Sequence, residues 1–317
     1  MLLNIILLVV GFVVLIKGAD FFVDGASSLA TNFKLSKMLI ALTIVSFGTS
    51  APEFAVSIQS IMNGSGDIVV GNVIGSNILN ILLILGLSSV VHSLTVKNNT
   101  VKKEIPIMLL ITSLLMVLVG DNLFDKNVSN TITRADGLVV LLFFGVFIYY
   151  LISMMRNKTL KDDDDKAQFG IVKSLIFTVV GIVAIILGSH FVVNSATYLA
   201  KAIGISERII SLTIIAFGTS LPELVTSVIA TKKGEYDIAI GNVVGSNIFN
   251  IGIVIGIPTV LFGGTGIITF NAVDLIFFFL SAFLLFIFAL PKHKITRGHG
   301  VVFLIMFIIY YSYLFIG

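Results

Sequence analysis

The chain is expected to be an all-α integral membrane protein with ten transmembrane helices, arranged as two inverted-topology repeats of five, with broken helices at an ion site. Three observations predict this. Of its 317 residues 57% are hydrophobic and 12% charged, with a mean hydropathy of +1.09, whereas soluble domains run at roughly 45–50% apolar and 25% charged. Apolar stretches long enough to cross a ~30 Å hydrocarbon core, about 17–25 residues each, recur along the whole length. A block of sequence also occurs twice: FGTSAPE from Phe47 and FGTSLPE from Phe217, followed at equal distance by GNVIGSNILN from Gly71 and GNVVGSNIFN from Gly241, so equivalent residues lie 170 apart.

Crossings are read at 2–26, 38–62, 68–91, 105–120 and 136–155, then at 171–200, 208–231, 238–262, 270–290 and 299–316. The first enters an apolar run at once, with no basic n-region or small-residue cleavage site, so it is expected to be retained. The second and seventh carry the FGTS-PE block, the third and eighth the GN-GSN block. The fourth, fifth, ninth and tenth are apolar without a repeated polar motif. All are too long for barrel strands and lack their alternation, and in lipid a helix satisfies its own backbone. The resulting division is a first repeat over 1–155, a charged connection over 156–170 and a second repeat over 171–317.

Basic residues orient the chain. Lys34, Lys37, Lys97, Lys102, Lys103, Arg156, Lys158, Lys161, Lys166, Lys232, Lys233, Lys292, Lys294 and Arg297 fall in connections that share one side if there are ten crossings, while Lys126, Arg134, Lys201 and Arg208 fall on the other. The positive-inside rule makes the first group cytoplasmic and places both termini outside. An odd number of spans per half then inserts the second copy upside down, the arrangement in which secondary transporters bind substrate near the midplane. The chain has no cysteine, hence no disulfide, and its net charge of +3 says nothing about nucleic acid, which is not expected as a partner.

Pro52 and Pro222 lie inside apolar segments, where each removes an amide donor and clashes with the carbonyl four residues back, at Gly48 and Gly218. The helices are expected to break there. Carbonyls around Ser46 to Thr49 and Ala216 to Thr219 then need partners that lipid does not supply, and a cation is one. The hydroxyls of Thr49, Ser50, Thr219 and Ser220 with the acids Glu53 and Glu223 make an oxygen-only set. Such a set suits hard cations such as Ca²⁺ or Na⁺, whereas zinc or copper favours nitrogen or sulfur. Asn72, Ser76 and Asn80 are spaced to share one helix face, as are Asn242, Ser246 and Asn250. Gly71 and Gly75, with Gly241 and Gly245, offer small surfaces to a neighbouring helix.

GTSxPE followed by GNxxGSNxxN in both halves closely resembles the cation/calcium exchanger superfamily, in particular its sodium/calcium exchanger branch. The resemblance implies that Glu53 and Glu223 bind Ca²⁺ directly together with backbone oxygens of Thr49 and Thr219, and that sodium uses the same acids. Flanking sodium sites would draw on Ser50, Ser220, Ser76 and Ser246 and on backbone carbonyls at Ser46 and Ala216, with Asn80 and Asn250 at the centre. Exchangers that co-transport potassium commonly carry an acid at the position of Asn250, so potassium independence is expected. Calcium/proton exchangers of the superfamily usually read GNxxE in place of GTSxPE, which makes proton coupling the runner-up.

The expected function is exchange of Na⁺ for Ca²⁺ across the cell membrane by alternating access, with no cofactor and no obligatory protein partner beyond the lipid bilayer. A calcium channel would carry flux without a counter-ion gradient. An enzyme is not expected, because Ser50 and Ser220 have no histidine or lysine base adjacent. Gly18 and Gly188 offer surfaces for sliding of the first spans of each half. Asp162 to Asp165 with Lys166 reads as a solvated linker, and Lys17, Asp20 and Asp24 as local structural pairs. His92, His190, His293 and His299 have no metal-ligand spacing, and Asp67 and Asp237 suit helix N-termini.

Overall fold

The computed structural model describes residues 1–124, 129–156, 167–204, 216–265 and 272–316. The chain is mostly helical. Twelve helices are used below: α1 (Leu2–Phe33), α2 (Lys37–Thr49), α3 (Ala51–Met62), α4 (Gly66–Val91), α5 (Ile105–Leu118), α6 (Arg134–Arg156), α7 (Ile171–Ala202), α8 (Ala216–Thr219), α9 (Leu221–Lys232), α10 (Tyr236–Phe262), α11 (Ala272–Ala289) and α12 (Arg297–Ile316). Among the described residues seven of these are long and apolar enough to cross a membrane, and the pair α2 and α3, bent by 47°, makes an eighth. Two further apolar segments remain. The π turn Thr100–Glu104 runs into α5, and α8 with α9 carries the second FGTS-PE block. The beginning of the span expected at 208–231, the acidic run Asp162 to Asp165 and most of the 156–170 connection lie outside the described residues.

Most expected boundaries fall close to the helices, with one clear extension. α1 continues to Phe33, seven residues past its expected end, where Asp24 and Ser27 find polar partners in Lys233 and Glu235 that replace lipid contact. Lys34 ends it in the left-handed conformation, φ 54°. A two-residue antiparallel pair, β1 (Leu94–Thr95) with β2 (Lys294–Ile295), joins two connections and was not expected.

Burial sorts the helices into layers. In the 18-residue apolar stretch of each helix, 94% of the residues are buried in α10 and 72% in α4, against 22% and 28% in α1 and α7, so the GN-GSN helices form the centre and the long first helices of each half lie at the periphery. α1 and α7 pack on each other backbone to backbone. A Cβ on Gly188 would stand 2.6 Å from the Leu15 amide nitrogen, and one on Gly181 the same distance from that of Phe22. Gly18, singled out from sequence, faces Ala184 in the same seam. Such contact lets two apolar helices associate where lipid gives no hydrophobic drive.

Connections expected to share a side do meet. Lys97 pairs with Asp237 at 2.7 Å and Lys37 with Glu235 at 3.0 Å, while His92 stacks on Tyr236. At the opposite end the Thr265 amide donates to the Ile132 carbonyl at 3.0 Å, and Gly66 is wedged against Thr265. Asp20 and Asp24 do more than pair locally. Lys17 reaches Asp20 only at 3.8 Å, whereas Lys233 lies 2.7 Å from Asp24 and 3.4 Å from Asp20, tying α1 to the turn after α9.

Two acids outside the repeated motifs are held by tyrosines of the following helix: the Tyr150 hydroxyl donates to buried Glu104, and that of Tyr310 to Asp274 at 3.0 Å. Glu104 Oε2 has no hydrogen-bond partner, so Tyr150→Phe removes the hydroxyl that holds Oε1 and leaves the buried carboxyl poorly satisfied. We expect it to cost about 1–3 kcal/mol, read as a lowered thermal midpoint of the purified protein, with Glu104→Gln restoring part of the loss.

Candidate ion site

The site starts from two interrupted helices. Between α2 and α3 the chain leaves helical geometry at Ser50 (φ −82°, ψ 5°), and between α8 and α9 at Ser220 (φ −91°, ψ 6°). Each break falls two residues before the proline, because proline suits the first turn of a new helix, where its missing amide donor is not needed. Glu53 and Glu223 then sit in the first turns of α3 and α9, next to unpaired amide groups that favour negative charge.

Both acids are fully buried, at 0% exposure, and they are electrostatic neighbours. Each is held by the hydroxyl of the other half. Ser50 Oγ donates to Glu223 Oε1 at 2.9 Å, and Ser220 Oγ donates to Glu53 Oε1 at 3.3 Å. The third-span serines join them, Ser246 against Glu223 Oε1 at 3.5 Å and Ser76 against Ser220 Oγ at 3.3 Å. Thr219 also bears on Glu53. Thr49 Oγ1 donates to Asn242 Oδ1 at 3.0 Å, and Asn242 in turn donates to Ser227 Oγ at 2.9 Å.

What remains unpaired is informative. Glu53 Oε2, Glu223 Oε2, Asn80 Oδ1 and Asn250 Oδ1 are all buried without a hydrogen-bond partner, two from each half. Among the described residues neither motif acid meets a lysine, arginine or histidine in an ion pair, and no three His, Asp or Glu side chains gather. Buried anionic oxygens without partners are costly in apolar surroundings. A cation held by two carboxylates and neutral oxygens resolves that cost, and hard cations accept such a shell.

Of the residues expected from sequence, Glu53, Glu223, Ser50, Ser220, Ser76, Ser246, Thr49, Asn80 and Asn250 are buried, and Thr219 is half-buried. Ser46 is buried but engaged: its carbonyl accepts the Ser50 amide at 3.0 Å and the Thr49 hydroxyl at 3.3 Å. Its hydroxyl donates to the carbonyls of Ala41 and Gly241 and packs on Gly245. Ala216 opens α8.

Three features were missed. The carbonyl released by Pro222 is that of Gly218, and it accepts the hydroxyl of Ser189 from α7 at 2.9 Å; the position equivalent to Ser189 is Ala19, so the repeat gives no hint of it. Asn77 and Asn247 cross-link the halves, each donating Nδ2 to the other's backbone carbonyl, at 3.1 and 3.3 Å. α4 and α10 both widen into π turns, at Asn80–Leu85 and Asn250–Ile255, a local change often found at functional sites. For the Ser189 cap we expect Ser189→Ala to cost about 1 kcal/mol, measured by thermal unfolding.

The sequence profile of the family described as sodium/calcium exchanger protein matches residues 3–153 and 173–316. The chain is 38% identical to inner membrane protein YrbG of Escherichia coli over 83% of this chain and 82% of that one. It is 30% identical to sodium/calcium exchanger MaX1 of Methanosarcina acetivorans over 98% of each. Among solved structures it superposes on the sodium-calcium exchanger NCX_Mj soaked with Na⁺ and Sr²⁺, with a TM-score of 0.85, 31% identity and 98% of each chain covered. A multi-pass membrane chain with paired buried acids and this likeness is an ion exchanger and not an enzyme; it belongs to the sodium/calcium exchanger protein family.

Proposed function

We propose that the protein exchanges Na⁺ for Ca²⁺ by alternating access at one site built jointly from its two halves, and that it does so without K⁺ and with net charge movement. The observation that carries the reading is the reciprocal grip on the acids, Ser50 on Glu223 and Ser220 on Glu53, with the outer carboxylate oxygens left for a cation. Ligands are Glu53, Glu223, Ser50, Ser220, Ser76, Ser246, Asn80 and Asn250, with backbone oxygens of Thr49 and Thr219 and flanking carbonyls at Ser46 and Ala216. In family relatives with potassium dependence an acid is common where Asn250 stands, and here both halves end in asparagine.

The same reading divides the chain into a five-crossing repeat over 1–155, a charged cytoplasmic connection over 156–170 and an inverted repeat over 171–317, ten crossings in all. It is supported by the pairing of connections at each end and by equivalent breaks at Ser50 and Ser220. The positive-inside rule then puts both termini outside the cell.

Charge explains why transport is coupled. Two ionised acids give the empty site a charge of −2, and enclosing it away from water on both sides carries a large desolvation cost. One Ca²⁺ or two Na⁺ cancel it, so either load permits reorientation. A third Na⁺ on neutral oxygens leaves one charge moved per cycle, worth about 2.3 kcal/mol per 100 mV. α1 and α7, at the periphery and seamed to each other, are the elements that slide against the central helices.

The test uses liposomes holding the purified protein. After loading with Na⁺ and dilution into Na⁺-free medium we expect rapid Ca²⁺ entry, unchanged by removing K⁺ and increased by an inside-positive potential. Entry driven equally by an outward proton gradient supports calcium/proton exchange instead, and entry with no counter-ion gradient supports a channel.

A further inference from the structure

An asparagine offers a cation an oxygen only if its amide is turned the right way, since the same side chain carries two N–H donors on the opposite arm. Asn80 and Asn250 sit at the centre of the proposed site, and something must fix their sense. The contacts around them form a chain in which each choice follows from the one before.

The chain begins at the backbone. The carbonyl oxygens of Asn77 and Asn247 can only accept, so the side-chain arm facing each must be nitrogen: Asn77 Nδ2 donates to the Asn247 carbonyl at 3.1 Å, and Asn247 Nδ2 to that of Asn77 at 3.3 Å. Met108 Sδ lies 3.8 Å from Asn247 Nδ2, a weak acceptor that agrees with nitrogen there. With their nitrogens spoken for, Asn77 and Asn247 present Oδ1 on the other side. Those oxygens accept Asn250 Nδ2 at 3.0 Å and Asn80 Nδ2 at 2.9 Å, each from the opposite half. The free arms of Asn80 and Asn250 are therefore oxygens, and both are buried and unpartnered.

We infer that Asn77 and Asn247 are positioning residues for ion binding: each holds the asparagine of the other half with its carbonyl turned to the cation. The inference rests on the proposed ligand role of Asn80 and Asn250. Turning Asn80 over would set its oxygen against Asn247 Oδ1 and its amide hydrogens toward a positive ion, two repulsions in one move. Asn77 and Asn247 touch no ion themselves. Their effect crosses from one half to the other, so Asn247 serves Asn80 and Asn77 serves Asn250.

The test is a set of double-mutant cycles on Na⁺-driven Ca²⁺ uptake into liposomes, reading KM for Ca²⁺ and kcat separately. Losing one well-placed oxygen is expected to raise KM about 10-fold in Asn80→Ala and in Asn250→Ala. Asn247→Ala is expected to raise KM by a similar factor with kcat little changed. In the Asn80→Ala background, where no amide is left to orient, Asn247→Ala adds less than about 2-fold, whereas with Asn250→Ala the two factors multiply. Asn77→Ala gives the mirror pattern, coupled to Asn250 and independent of Asn80.

A merely structural role for Asn77 and Asn247 predicts equal combination with both partners, and that result, or an unchanged KM in Asn247→Ala, overturns the inference. If Asn80→Ala and Asn250→Ala themselves leave KM unchanged, the ligand assignment fails first, a separate outcome. Thermal unfolding confirms that each variant is folded, and Asn77→Ser and Asn247→Ser carry the same cycles should the alanine variants not assemble.

Discussion

Replacing either motif acid by its amide is expected to stop Na⁺-driven Ca²⁺ exchange. Glu53→Gln and Glu223→Gln keep the shape of the side chain and remove one of two charges, so a bound Ca²⁺ is left with an uncompensated positive charge in an enclosed apolar site. Breaking a buried charge pair costs about 3–5 kcal/mol, which corresponds to a fall of roughly 10²–10³-fold or more in flux at limiting Ca²⁺. The remaining −1 site is neutralised by a single Na⁺, so isotopic Na⁺ self-exchange is expected to fall much less than Ca²⁺ uptake in the same variants. Undiminished Ca²⁺ uptake in either variant rejects the shared site, whatever happens to the rest of the chain. Because both acids are fully buried, the loss is not expected to be rescued by lowering the ionic strength, as a surface effect would be.

The second large effect belongs to the seam between α1 and α7. At Gly188 and Gly181 the atoms nearest an added Cβ are backbone atoms of α1, 2.6 Å away, and backbone cannot turn aside as a flexible side chain does. Gly188→Val and Gly181→Val are therefore expected to force the helices apart, at a cost of about 1–3 kcal/mol or more each. Splaying the pair also distorts the unit proposed to slide against the central helices, so transport should fall at least about 10-fold even in protein that remains folded, a factor equivalent to 1.4 kcal/mol. Gly145 on exposed α6 has nothing within 4 Å of its Cβ position. Gly145→Ala is the control, expected to stabilise by about 0.5–1 kcal/mol through the helix preference alone. Equal behaviour of the glycines would show that the seam carries no special packing.

Much of this was legible in the sequence because the signals were local and duplicated. Long apolar runs announce membrane helices, and the proline of each FGTS-PE block announces a break, although the break itself lies at Ser50 and Ser220 since proline opens the next helix. Glu53 and Glu223 stand out because an acid in such surroundings needs a reason. What could not be read were contacts whose partners come from the other half. Asn77 and Asn247 lie about 100° around the helix from the Ser76 and Ser246 stripe, so a pattern of i, i+4 spacing passes over them. The one clue was that the GSN triplet repeats whole, asparagine included. Ser189 was invisible for the opposite reason, since its counterpart is Ala19 and comparing the halves averages it away. Ser46 shows a different limit: sequence marks its carbonyl as freed by the break, but the local turn hands it to the Ser50 amide and the Thr49 hydroxyl.

The crossed bonds between the halves have an evolutionary corollary. Ser50 with Glu223 and Ser220 with Glu53, like Asn77 with Asn247 in both directions, have the form of a two-fold homodimer contact, in which residue i of one copy meets residue j of the other and the reverse holds too. A polypeptide of one repeat would possess both sides of that handshake and yet be unable to close it alone. Under the inverted arrangement proposed above, a one-repeat precursor would have had to meet a sibling inserted in the contrary sense, and so to enter the bilayer either way up. Covalent joining of two such copies would free each moiety to diverge, and the Ser189 cap and the lysine that clamps Asp20 and Asp24, both without a counterpart at the equivalent positions of the other half, fit that later independence.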